Sequence, residues 1–72
     1  MKKTYFVRCM KNRGELSYSV IDNKKVIFTC DRYNQLVSFL KDKLNYLNSI
    51  GISLVINANR ILPSLEEDVY SY

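Results

Sequence analysis

Apolar and polar positions alternate with period two through the first thirty residues, then switch to a helical period. Residues 4–10, TYFVRCM, set Tyr5, Val7 and Cys9 against Phe6, Arg8 and Met10 in a run rich in β-forming side chains. KNRGE breaks the run, and Gly14 can take the positive φ of a turn. Residues 16–21, LSYSVI, place Leu16, Tyr18 and Val20 on one side and Ser17 and Ser19 on the other, the mark of a half-buried strand. DNKK at 22–25 reads as a polar hairpin turn and VIFTC at 26–30 as a third strand. These three strands form an antiparallel meander.

Residues 31–51, DRYNQLVSFLKDKLNYLNSIG, read as one long helix. Asp31 is the expected N-cap, its carboxylate accepting backbone N–H groups of the first turn. Gly51 is the expected C′ residue. At about 100° per residue, Tyr33, Leu36, Val37, Leu40, Leu44 and Leu47 fall within one core-facing stripe. ISLVINA at 52–58 is then a fourth strand. Only Gly51 separates it from the helix, so it must run parallel to strands one and three. A right-handed crossover sets it beside strand one. The predicted fold is α+β, β-β-β-α-β, with a mixed four-stranded sheet in the order 4-1-2-3 and the helix on one face. Residues 1–62 form a single domain. Residues 63–72 are an acidic, aromatic tail or a short helix over Leu65–Tyr70, where Ser64 and Glu67 have capping-box spacing.

This pattern leaves apolar side chains without an assigned partner. Phe39, Tyr46 and Ile50 sit roughly 80–120° from the centre of the helical stripe, with Lys43 between. The C-terminal segment can cover them, or they form a ridge for a protein partner or a second copy. The sheet face away from the helix should carry Phe6, Arg8, Met10, Ser17, Ser19, Ile27, Thr29 and Val55. The candidate partner-binding residues are therefore Phe39, Lys43, Tyr46, Ile50, Phe6 and Arg8.

Charge adds a second candidate. The net charge is +4, but residues 1–60 hold all 11 Lys and Arg, whereas residues 61–72 hold only acids, Glu66, Glu67 and Asp68. An acidic partner or nucleic acid would complement the basic body. Lys2 and Lys3 precede strand one and lie near the second turn, where they can cluster with Lys24 and Lys25 to contact phosphate.

Catalysis has little to work with. Histidine, the commonest general base, is absent. The serines and cysteines have no adjacent base, and neither glycine belongs to a phosphate-cradling loop. Cys9 and Cys30 form no CxxC pair and read as small core residues, with a disulfide as the alternative; no metal site or cofactor is expected. No run approaches about 18 apolar residues, and Arg8 and Lys11 interrupt any signal-peptide core, so a cytoplasmic location is expected. Asn, Lys, Ile and Tyr make up 26 of the 72 residues, the trace of AT-rich codons, which fits a bacteriophage or low-GC bacterium.

The functional expectation is a small non-enzymatic protein-binding module that occupies a macromolecular partner. A phage or mobile-element accessory protein that inhibits or redirects a host factor fits this description, acting in the bacterial cytoplasm. The alternatives are a nucleic-acid-binding regulator using the basic body and a structural homo-oligomer.

Overall fold

Two pairs of positive-φ residues turn the chain into a meander. In the computed structural model, which describes residues 1–58, 60 and 62–70, β1 (Lys2–Asn12) ends with Asn12 opposite Glu15 of β2 (Glu15–Asp22). Arg13 and Gly14 form the two-residue turn between them, at φ 53° and 82°. Asp22 lies opposite Lys25 of β3 (Lys25–Cys30), leaving Asn23 and Lys24 at φ 51° and 67°. Positive φ at both central positions gives hairpin turns a twist that matches the strands they join.

β1 extends beyond residues 4–10 because it is paired on both sides. It lies antiparallel to β2 from Phe6 to Asn12 and parallel to β4 (Ser53–Asn57) from Lys2 to Phe6. Ladder hydrogen bonds therefore hold Lys2, Lys3, Lys11 and Asn12 in a strand despite their weak β preference. The sheet order β3-β2-β1-β4 is the predicted one, and the fold is α+β.

The helix α1 (Tyr33–Ser49) begins later than expected. β3 remains paired to Cys30, so the chain needs Asp31 and Arg32 to leave the sheet. Arg32 is the N-cap, in extended conformation, and among the described residues no side-chain hydrogen bond caps the helix; Asp31 does not fill that role. The C-terminus follows expectation. Gly51 has φ 81°, its N–H donates to the Asn48 carbonyl at 3.1 Å, and the Ile52 N–H donates to the Leu47 carbonyl at 2.8 Å. This is a Schellman motif, with the half-buried Ile52 packed against the core.

Leu36, Leu40, Leu44 and Leu47 of α1 are buried against Tyr5, Val7, Tyr18, Val20, Leu54 and Ile56 of the sheet. Tyr33 and Val37 flank them, half-buried. The C-terminal segment forms a helix, α2 (Leu65–Tyr70), which buries Leu65 and Val69; Ser71 and Tyr72 lie outside the described residues. Two hydroxyls fasten α2: Tyr33 donates to the Asp68 carboxylate, and Tyr70 donates to the Leu54 carbonyl at 2.5 Å. Burial, then the Asp68 contact, pushes the Tyr33 phenol up to about 12.

Cys9 and Cys30 are free, half-buried thiols on either side of Tyr18 in one cross-strand row. Two strand spacings, about 10 Å, exceed the Cα separation of about 7 Å that a disulfide tolerates.

Candidate binding surface

The helices occupy one side of the sheet, and the other side is open. Register carries four side chains into one row across all strands of that open face: Val26, Ile21, Phe6 and Asn57. The next row holds Thr29, Ser19 and Arg8. Phe6 is 49% exposed and Val26 58%. Met10, Ile27 and Val55 are also exposed, as the alternation predicted. Ser19 is not: its small side chain lies between Arg8 and Thr29 and is buried.

A register shift explains why Val26 reaches this face. Val20 pairs with Phe28 and Ile21 with Val26, so Ile27 is the extra residue of a β-bulge. Strict alternation would turn Val26 toward the helix, with Phe28 and Cys30. The bulge places both Val26 and Ile27 in solvent.

The central row floors an open basin of about 780 Å³. Phe6, Ile21 and Val26 supply its apolar surface, and Arg8, Lys24 and Arg60 supply charge. Among the described residues, no carboxylate lines it. Such a basin can seat an apolar side chain while neutralising anionic groups beside it.

The expected cluster of Lys2, Lys3, Lys24 and Lys25 meets the second hairpin through Lys3. Lys2 and Lys3 lie within β1, beside Ser53 and Leu54 of β4. Lys3 forms a 3.0 Å ion pair with Asp22, which raises its pKa through a hydrogen bond and charge. Lys25 begins β3 opposite Asp22, whereas Lys24 joins Arg8 and Arg60 at the basin. Arg60 could not be anticipated because it lies beyond the last strand. Ile21 could have been, since its neighbour Val20 faces the core.

The helix ridge is divided. Phe39 is half-buried and stacks on Phe28 at 4.1 Å between ring centroids and 10° between planes. The edge strand β3, rather than the C-terminal segment, supplies its cover. The Lys43 ammonium sits 5.6 Å from the Phe39 centroid, within cation–π range. Tyr46 and Ile50 are exposed, at 61% and 52%. They lie on α1, so the helix-borne and sheet-borne candidate surfaces are separate.

Among the described residues, no cluster of three or more His, Cys, Asp or Glu is placed to hold a metal ion, and no helix is long and apolar enough to cross a membrane. No family model, curated protein or solved structure matches the chain.

Proposed function

We propose that this chain is a non-enzymatic binding module that acts by occupying a partner protein through the open face of its sheet. The observation that carries this reading is the row of exposed Val26, half-buried Ile21 and exposed Phe6, bordered by Arg8 and Lys24 on the face without helices. Apolar side chains in solvent gain about 25 cal/mol per Å² when a partner covers them. Cations beside them add orientation and selectivity. Phe6 is the only aromatic side chain on this face among the described residues; its companions Met10, Ile21, Val26, Ile27 and Val55 are aliphatic. Platforms for single-stranded nucleic acid stack successive bases on aromatic rings, and aliphatic side chains do not provide that. The balance therefore favours protein. The AT-rich coding bias fits a phage or mobile-element protein acting on a host factor in the bacterial cytoplasm.

A second reading, nucleic-acid binding, draws on the three cations of the basin. A pull-down from bacterial lysate separates the two, using the natural chain and a Phe6→Ser, Val55→Ser variant with and without nuclease. Nuclease-resistant recovery of one protein, lost in the variant, is the expected result. Recovery abolished by nuclease would move the assignment to nucleic acid. Recovery indifferent to the double substitution would remove the open face from the interface.

A further inference from the structure

We infer that the basin between the second hairpin and the end of β4 holds an acidic peptide segment of the partner, with an apolar side chain on Phe6, Ile21 and Val26 and carboxylates on Arg8 and Lys24, a proposal that rests on the open face being a protein-binding surface. Charge complementarity selects the ligand. Arg8, Lys24 and Arg60 converge on one basin that no carboxylate lines among the described residues. The nearby acid, Asp22, is paired with Lys3. Bringing like charges together is unfavourable, and an anionic ligand would relieve it. An arginine offers a carboxylate two parallel N–H donors, and a lysine offers a mobile point charge.

Shape and floor narrow the class. A volume of about 780 Å³ exceeds one side chain and suits a few consecutive residues. The floor is one phenyl ring beside two branched aliphatic side chains, a seat for leucine, isoleucine or methionine rather than for stacked bases.

Lys24 adds an independent observation. It has φ 67° at the second central position of its turn, where the backbone favours glycine. A lysine there bears a conformational cost, and Lys24 lines the basin. Positions held in unfavourable backbone regions cluster at binding and active sites.

The test is an NMR titration of ¹⁵N-labelled protein with a short peptide bearing one leucine between pairs of glutamates. Controls replace the glutamates by glutamine or the leucine by serine, and a short oligothymidylate probes nucleic acid. The expected shifts fall on the amides of Phe6, Arg8, Ile21, Lys24 and Val26. Arg8→Gln, Lys24→Gly and the glutamine peptide should each weaken binding by about tenfold or more. Lys24→Gly should also raise the melting temperature, so its lost affinity cannot be attributed to unfolding. Absent shifts, shifts confined to α1, or affinity unchanged by both variants would overturn the proposal. So would oligothymidylate binding more tightly than the peptide at physiological salt. If the pulled-down protein is lost with Phe6→Ser, Val55→Ser but retained with Arg8→Gln and Lys24→Gly, the basin assignment fails while the open-face reading stands.

Discussion

Replacing Phe39 by alanine tests whether this ring belongs to the core or to a recognition ridge. A fully buried phenylalanine costs about 3–5 kcal/mol when truncated. Phe39 is half-buried, so its packing share is about 1.5–2.5 kcal/mol. Its parallel stack with Phe28, 4.1 Å between centroids, adds about 0.5–1.5 kcal/mol beyond area. The expected loss is about 2–4 kcal/mol, which in a domain of this size lowers the melting temperature by roughly 10–25 °C. Urea unfolding followed by far-UV circular dichroism measures it, since the chain has no tryptophan. A double-mutant cycle with Phe28→Leu and Phe39→Leu should return a coupling of about 0.5–1.5 kcal/mol. Tyr46→Ala, at a ring 61% exposed, should change stability by less than about 0.5 kcal/mol. A Phe39→Ala variant as stable as the natural chain would refute the packing argument and return Phe39 to the exposed ridge.

Other consequences follow from the core, the helix end and the tyrosines. Leu40 is fully buried, and Leu40→Ala should cost about 2–5 kcal/mol. That is a large part of the roughly 4–10 kcal/mol available to a chain this size, so its thermal transition should shift far down or vanish. Gly51→Ala meets no atom within 4 Å but must adopt φ 81°; a loss of about 1 kcal/mol is expected, and none would contradict the Schellman geometry. Tyr33 keeps its proton to about 12 when folded, against about 10 in the unfolded chain. Its contribution is full below about pH 10 and is lost as pH rises toward 12. Burial raises Tyr5 and Tyr70 in the same direction, so urea midpoints should fall through this window, less steeply in Tyr33→Phe.

Short-range patterns made most of the fold legible. Gly14 and the DNKK turn set the meander, the spacing of the four buried leucines set the helix facing, and the short link around Gly51, residues 50–52 in the structure, dictated a parallel β4. Failures occurred where the answer depended on a distant segment. A helical wheel gives the angle of Phe39 from the stripe but not the width of the sheet beneath, and Phe28 on the edge strand covers it. Asp31 has the right chemistry for a cap, but continued pairing of Cys30 sets the helix start at Tyr33. The basin was still less legible. Its floor depends on a bulge that redirects Val26, and its charge comes from three separate parts of the chain.

Exposed apolar residues on the open face do not by themselves require a partner. Valine, isoleucine and phenylalanine favour strands even on a solvated face, so β propensity explains part of Phe6, Ile27 and Val55. Propensity does not explain the charge beside them. Arginine is no stronger a strand former than many polar residues, yet Arg8 sits centrally in β1, next to Phe6 and opposite Ser19. Propensity runs against Lys24, whose positive φ opposes its side chain. The cations therefore add to the apolar row what its area alone does not, a preference for an anionic ligand. Folding alone would be served as well by threonine in place of Arg8, and better by glycine in place of Lys24. Neither of those side chains would give an acidic ligand a place to dock.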